Sequence, residues 1–197
     1  MSPDESSLER RFAEILRADP VIRSALCQVE RAALPDGWIV AGALYNTVWN
    51  VLTGRPPGHG IRDIDVFYFD GSDLSYGAED QVIRRESRHF APEPPVEIRN
   101  QARVHLWFER HFGHSIEPIT SCRDSIARFS AETHAVGARL ISGRLEIEAP
   151  FGLEAIFGMR LVPNRRSESR ASYESKARRV QALWPEVEVL PWPEEAL

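Results

Sequence analysis

The chain has 197 residues, 43% of them hydrophobic and 27% charged, an ordinary composition for one globular domain. Its 24 Lys and Arg against 29 Asp and Glu give a net charge of -5, which argues against a protein that binds the backbone of long nucleic acids. Two cysteines exclude a disulfide framework, and the lack of a long apolar run or hydrophobic signal region predicts a soluble, cytoplasmic protein with no membrane partner.

The first third of the chain predicts two helices, a strand and a third helix. Apolar residues recur on one helical stripe over residues 8–16, and Asp19-Pro20 is typical of the start of a second helix. The turn residues 35–37 end that helix. Residues 38–41 then predict a short strand that runs through Gly42 into a helix over residues 43–53.

The remaining elements predict a mixed sheet with helices packed on it. They are a strand over 63–70, a helix over 78–90, a strand over 96–99, helices over 101–112 and 123–129, a hairpin at Ser142-Gly143, and helices over 151–157 and 172–184. The alternation of helices and strands indicates the α/β (α+β) class. We expect a single domain over residues 1–197, with a core at about 36–115 and a C-terminal α+β extension at about 116–197.

Two aspartates, Asp63 and Asp65, mark the start of the second predicted strand. Because alternate residues of a strand point to one face, both carboxylates project together. Carboxylates held this close repel each other unless a cation lies between them, and oxygen ligands of this kind suit Mg²⁺ or Mn²⁺. The alternative is a strand end with two solvated acids.

A second feature is the strand that runs through Gly42 into a helix. Glycine lets the backbone come close to a ligand, and the new helix offers free N–H groups and its positive dipole end, which suits phosphate. Asn46, one turn into this helix, is a candidate for a hydrogen bond to a phosphate or a sugar. The alternatives are a tight strand-to-helix turn and a polar residue on the helix surface.

A third acid, Glu97, lies in the next predicted strand. If this strand neighbours the aspartate strand, Glu97 completes a three-carboxylate metal site. Arg99 and Arg103 follow closely and are candidates to neutralise a triphosphate. The alternatives are a salt bridge from Glu97 to Arg99 or Arg62, and surface ion pairs for the two later arginines.

Together these three features predict metal-assisted phosphoryl or nucleotidyl transfer. In such a site two cations about 4 Å apart share the aspartates. One cation activates the acceptor hydroxyl, and the other holds the triphosphate and the leaving pyrophosphate.

The same residues resemble a known family. Residues 40–43 and 63–66 are similar to the Gly-Gly or Gly-Ser and Asp-x-Asp signature of the DNA polymerase beta-type nucleotidyltransferase superfamily. More closely, the chain resembles a bacterial family of nucleotidyltransferase-like proteins of unassigned substrate. The matching segments, which span roughly residues 10 to 190, are 41–50, 63–70, 96–105, 149–153, 162–164 and 176–185.

The resemblance implies a nucleotidyltransferase-like fold and a role for each matching residue. Asp63, Asp65 and Glu97 take the places of metal-binding catalytic acids, and Gly42 and Ala43 those of the phosphate-facing turn. The chain departs from the superfamily pattern at two points. Ala43 replaces the usual Gly or Ser, which leaves a backbone contact to phosphate, and a longer interval to Asp63 implies a longer helix and loop.

We therefore expect a Mg²⁺- or Mn²⁺-dependent enzyme that moves a nucleoside monophosphate from an NTP to an acceptor hydroxyl and releases pyrophosphate. The expected nucleotide-binding residues are Gly42, Ala43, Asn46 and Arg99. Because no basic stripe is present, the acceptor is expected to be a small molecule or a protein and not duplex nucleic acid.

Two alternatives from other classes stay open. One is a non-catalytic nucleotide- or partner-binding module that keeps the fold. The other is a sugar-nucleotide-dependent glycosyltransferase, whose Asp-x-Asp motif normally follows a larger nucleotide-binding fold than the residues before Asp63 provide.

Two further groups of residues are interpreted as structural. The tryptophans predicted to pack in the core, and not to stack on bases, are Trp49, Trp107, Trp184 and Trp192. The basic doublets interpreted as parts of solvated faces are Arg165-Arg166 and Arg178-Arg179.

Overall fold

The computed structural model describes residues 3–167 and 169–193. Its helices are α1 (Pro3–Ala18), α2 (Pro20–Ala32), α3 (Gly42–Thr53), α4 (Tyr76–Ser87), α5 (Val104–Phe112), α6 (Cys122–Ala127), α7 (Glu154–Phe157) and α8 (Arg170–Leu183). Its strands are β1 (Trp38–Val40), β2 (Ile64–Tyr68), β3 (Val96–Asn100), β4 (Gly137–Ile141), β5 (Arg144–Glu148), β6 (Arg160–Leu161) and β7 (Glu188–Val189). Short 3₁₀ turns cover Gln101–Arg103 and Glu132–His134.

The main sheet has five strands in the order β3-β2-β1-β4-β5. β2 and β3 are parallel, and the other neighbours are antiparallel, so the sheet is mixed as predicted. The hairpin β4–β5, which the sequence places in the C-terminal extension, belongs to this same sheet. β6 and β7 form a separate parallel pair.

The predicted helix boundaries follow from capping residues. The Asp19 carboxylate accepts the N–H groups of Val21 and Ile22, which starts α2 at Pro20. Asn100 likewise accepts the N–H of Ala102, but the turn after it is 3₁₀ and α5 begins only at Val104.

The hydrophobic core lies on the face of the sheet covered by α1–α3 and continues beneath α7 and α8. Trp49 and Trp184 are at most 1% exposed and pack edge to face at 5.4 Å, which confirms the prediction for these two; Trp107 and Trp192 are half-buried. The Trp184 ring also packs against Gly60, where a Cβ would lie 2.3 Å from the ring. Gly60 has φ +73°, so glycine is needed here for both space and conformation. This contact fixes the end of α8 beside the loop that leads into β2.

Within the described residues, no helix is long and apolar enough to cross a membrane.

Candidate active site

The two aspartates lie at the entry to β2, the second strand of the sheet. Asp63 directly precedes the strand and Asp65 is its second residue, paired with Val40 on one side and Glu97 on the other. Both aspartates line one small pocket of about 120 Å³ between α3 and α8. The structure therefore brings these two predicted residues together.

The electrostatics of Asp65 show that this edge of the sheet carries excess negative charge. The pKa of Asp65 is raised to about 6, first by burial and then by Asp63 and Glu97, while Lys176 and Arg99 lower it less. An ionised pair of this kind is destabilised in the free protein, and a bound cation removes the repulsion.

Glu97 lies beside Asp65 but faces a different space. It is aligned with Asp65 across the parallel β2–β3 pair and lines a larger cavity instead of the small pocket. Its carboxylate pairs with Arg99 at 3.3 Å, with both side chains about half exposed, as the alternative interpretation expected. Across the described parts of the chain, no three His, Cys, Asp or Glu side chains form a group able to hold a metal ion.

The turn between β1 and α3 carries its strain at Ala41, one residue before the predicted glycine. Ala41 has φ 52° and ψ −117°, a conformation that favours glycine, and its N–H donates to the Val136 carbonyl at 2.8 Å. Gly42, the first residue of α3, lines the small pocket, and a Cβ there would meet only the Asn46 amide at 3.8 Å. Ala43 is 1% exposed and lies outside the pocket lining.

Because no side-chain cap bonds to the start of α3, its first N–H groups remain available to a ligand in the small pocket.

Asn46 is a buried residue of the pocket lining and not part of a solvated helix surface. It is 4% exposed, and its Nδ2 donates to the Gly60 carbonyl at 3.5 Å. Its Oδ1 has no hydrogen-bond partner among the described residues. His134, 1% exposed and stacked on Tyr45 at 4.7 Å, lines the same pocket with both ring nitrogens unpartnered in the described chain.

Two cations of α8, Lys176 and Arg179, line the small pocket together with the two aspartates. Arg179 donates to the Gly60 carbonyl at 2.9 Å, and the Lys176 ammonium lies 5.4 Å from the centre of the Phe129 ring. Burial lowers the pKa of Lys176, Arg179 lowers it further, and Asp65 opposes them. No ion pair within 4.0 Å joins either cation to an acid in the described residues.

Sequence reasoning missed both of these cations. The solvated-face interpretation is wrong for Arg179, which is half-buried, and agrees with exposed Arg178. The spacing of these residues could have identified them. The cations Lys176 and Arg179 and the apolar Val180 and Leu183 recur at i, i+3, i+4 and i+7, which places them on one helical face.

A larger cavity of about 880 Å³ adjoins the small pocket on the open face of the sheet. Asp65, Phe129 and Lys176 line both spaces. Arg99 lines only the larger cavity, while Arg103 lies outside both and forms a buried ion pair with Glu79. The two predicted arginines therefore separate: Arg99 stays at the site, and Arg103 is structural.

A sequence model described as "Nucleotidyltransferase" matches residues 27–189. The chain belongs to this nucleotidyltransferase family. The matched range runs from α2 to β7, so it contains both the aspartates of β2 and the cations of α8.

The fold of this nucleotidyltransferase is also that of a solved structure, whose description reads "The NMR structure of the protein reveals a CCA-adding enzyme head domain". The two chains share 25% sequence identity with a TM-score of 0.76, and the match covers 93% of this chain and 96% of the other. The predicted fold class is thereby confirmed. A search of curated proteins finds no match.

Proposed function

We propose that this nucleotidyltransferase transfers a nucleoside monophosphate from an NTP to an acceptor hydroxyl and releases pyrophosphate, with Mg²⁺ or Mn²⁺ bound. One observation carries the proposal. The carboxylates of Asp63 and Asp65 line the same small pocket as Lys176 and Arg179, and no ion pair joins these acids to these cations in the described chain. A metal–triphosphate complex matches this arrangement, because its cation suits the carboxylates and its phosphates suit the cations.

The carboxylates fit a divalent ion through the chemistry of their donors. Mg²⁺ is usually bound by one or two protein carboxylates together with waters and substrate phosphates, so Asp63 and Asp65 suffice as the protein ligands. The pKa of Asp65 is raised first by burial and then by the charges of Asp63 and Glu97, and a bound cation would offset these neighbouring charges. Glu97, aligned with Asp65 on β3, is the proposed third ligand. The bound ion would supply charge neutralisation at the phosphoryl oxygens.

The rest of the small pocket suits the phosphates. Lys176 and Arg179 supply positive charge, and the start of α3 at Gly42 adds N–H groups and the positive end of its dipole. Asn46 and Arg99 are proposed as further contacts to the nucleotide, one in each cavity.

The proposed reaction is a displacement at the α-phosphorus of the NTP. The oxygen of the acceptor hydroxyl forms a bond to the α-phosphorus of the NTP, and the bond from that phosphorus to the bridging oxygen of the β-phosphate breaks. Pyrophosphate leaves with the electron pair of the broken bond, and the hydroxyl proton is released to water. The residues of the pocket bind and orient the triphosphate for this displacement. The acceptor is proposed to be a small molecule or a protein.

Calorimetric titration with ATP and Mg²⁺, combined with a pyrophosphate-release assay, tests this proposal. We expect the wild-type protein to bind ATP only with the metal present, and the Asp63→Asn/Asp65→Asn variant to lose that binding. The matched control is Asp70→Asn/Asp73→Asn, which removes the same charge outside both cavities and should bind as the wild type does.

Absence of ATP binding in the wild type, or equal binding by the two double variants, would contradict the proposal. Metal-dependent binding without pyrophosphate release across a broad acceptor screen would instead establish the alternative, a nucleotide-binding module that keeps the fold.

A further inference from the structure

Apart from Glu97, Arg99 and the residues shared with the small pocket, the lining of the larger cavity takes no part in the proposed binding of the metal and the nucleotide, and the size of this cavity suits a second substrate. Its volume of about 880 Å³ lies within the range of about 300 to 1,000 Å³ that small-molecule sites occupy. The small pocket, at about 120 Å³, holds only part of a nucleotide. The small pocket therefore has no room for a second substrate, which leaves the larger cavity as its place.

The small pocket and the larger cavity adjoin at Asp65 of β2. Asp65 and Lys176 line both of them, together with the Phe129 ring. A molecule bound in the larger cavity with a hydroxyl at Asp65 would face a nucleotide held in the small pocket. The shared residues thus make the larger cavity the place for an acceptor.

A buried hydroxyl without a partner marks one wall of the larger cavity. Ser130 lines the cavity and is 5% exposed, and its Oγ has no hydrogen-bond partner among the described residues. Leaving a buried polar group unpaired costs about 1–3 kcal/mol, so a ligand oxygen that pairs with this hydroxyl gains from it.

The loop beside Ser130 adds the guanidinium of Arg166, an exposed residue whose side chain lies 5.7 Å from the centre of the Phe151 ring. Asn164 is fully buried, and its side-chain oxygen accepts the Arg166 N–H. The Asn164 N–H donates to the Ser130 carbonyl at 3.0 Å, which ties the loop to this wall. Arg166 lines the cavity and pairs with no acid of the described chain. The other two arginines of the cavity lining already have acidic partners: Arg99 pairs with Glu97, and Arg128 pairs with Asp124.

The first turn of α8 completes this wall. Ser169 and Ser172 line the cavity, and the 14-residue helix has no side-chain cap and no acid in its first turn. The positive end of its dipole favours an anion. Among the described residues from Arg166 to Lys176, those that line the cavity are two cations and three serines, with no acid.

We infer that the larger cavity binds an acceptor that carries a phosphate monoester, with the phosphate held by Ser130, Arg166 and the start of α8 and a hydroxyl directed to Asp65. This inference rests on the proposed function and names its acceptor class, a small phosphorylated hydroxyl compound. A long polyanion fits less well, because the net charge is -5 and three acids, Glu97, Glu117 and Asp124, also line the cavity.

The test measures phosphate recognition with the nucleotide site already filled. The protein is saturated with Mg²⁺ and an ATP analogue that has a methylene bridge between its α- and β-phosphates. It is then titrated by calorimetry with ribose 5-phosphate, glycerol 3-phosphate and inorganic phosphate, and with ribose and glycerol as unphosphorylated partners. We expect at least one phosphate probe to bind at least tenfold more tightly than the unphosphorylated compounds.

Variants of the wall decide where that phosphate binds. Arg166→Gln and Ser130→Ala should each weaken the phosphate probe at least tenfold and leave the affinity for the ATP analogue unchanged. Arg165→Gln removes the neighbouring exposed charge, which lies outside the cavity lining, and should change neither affinity. Since the Ser130 hydroxyl is buried without a partner among the described residues, Ser130→Ala should not lower the melting temperature.

The outcomes separate this inference from the proposed function. No binding of the ATP analogue by the wild type contradicts the proposed function itself. Normal binding of the analogue with no phosphate probe bound, or with equal loss in Arg166→Gln and Arg165→Gln, overturns the inference alone. A short single-stranded RNA that binds more tightly than every probe and depends on Arg166 overturns the small-molecule acceptor.

Discussion

The two sides of the small pocket carry opposite charges and come from distant parts of the chain. One side is the aspartate edge, Asp63 and Asp65 at the start of β2, and the other is the α8 face, Lys176 and Arg179. The aspartate edge lies on the central sheet, while the α8 face is positioned by a helix whose end is fixed by Trp184 against Gly60. The fold thus holds two pairs of charges opposite each other without direct ion pairs in the described chain.

The charge of the pocket is balanced only in the folded chain, because folding brings the acids of β2 and the cations of α8 together. Each side alone would attract a different ligand, a metal ion at the aspartate edge and an anion at the α8 face. A metal–triphosphate complex needs both sides at once. Removing the charges of either side should therefore abolish binding of this complex. Variants of each side measure this dependence.

The largest effect is expected at the α8 face. Lys176→Met removes the cation that lines both cavities and should lower kcat/KM for the NTP about 100-fold, the size found when one positioned electrostatic group is removed. Steady-state kinetics of pyrophosphate release measure it. Arg178→Met, on the exposed side of the same helix, is the control, and equal rates in the two variants would show that α8 only covers the pocket.

At the aspartate edge the prediction concerns stability and its pH dependence. Burial and neighbouring acids raise the pKa of Asp65 from 3.8 to about 6, so the folded state holds its proton more tightly than the unfolded state does. The ionised carboxylate therefore destabilises the metal-free fold fully above pH 6 and not at all below about pH 3.8. Asp65→Asn should raise the free energy of unfolding at pH 7 by up to about 3 kcal/mol.

Urea denaturation in EDTA at pH 7 and at pH 4 checks this. The gain should be largest at pH 7 and should nearly vanish at pH 4, where the wild-type carboxyl is protonated in the folded state. A gain that does not change with pH would mean that Asp65 is not destabilised by its charge. Although more stable, the variant should lose metal-dependent nucleotide binding.

A smaller effect distinguishes the two roles of Glu97. If Glu97 is a metal ligand, Glu97→Gln should lower kcat/KM about tenfold and raise the Mg²⁺ concentration needed for the half-maximal rate. Even the residues that only support metal ligands change metal affinity or activity by about 10- to 100-fold. As the partner of Arg99 alone, Glu97 contributes about 0–1 kcal/mol to stability. Arg99→Gln breaks the same ion pair without removing a carboxylate. An unchanged Mg²⁺ requirement in both variants would show that Glu97 is only the ion-pair partner of Arg99.

The aspartate edge and most of the fold were predictable because their signals are local. Asp63-Ile64-Asp65 alternates along one strand, Gly42 follows a short apolar run, and the β4–β5 hairpin has its turn at Ser142-Gly143. Each of these patterns is set by a few neighbouring residues. Local patterns also gave the capping of α2 by Asp19 and the buried state of Trp49 and Trp184.

The α8 face was not predictable in the same way, because it depends on tertiary packing. Lys176 stands 111 positions after Asp65, and no local feature says which strand the helix will face. The unpaired Ser130 hydroxyl and the buried Asn46 amide are also defined by what surrounds them in the fold. The positive φ of Ala41 was not predictable either, because alanine rarely adopts this conformation and its presence in a sequence does not indicate one.

The smallest effect separates strain in the β1–α3 turn from contact with the ligand. Ala41→Gly should raise the free energy of unfolding by about 1 kcal/mol, because relief of the positive φ exceeds the greater entropy that glycine gives the unfolded chain. Gly42→Ala has space for its methyl group and should leave stability nearly unchanged, yet it places that methyl in the small pocket. If a phosphate binds the backbone at Gly42, Gly42→Ala should weaken ATP binding about tenfold by calorimetry, and Ala41→Gly should not weaken it. Normal binding by Gly42→Ala would move the phosphates away from the turn and leave the α8 face as their main anchor.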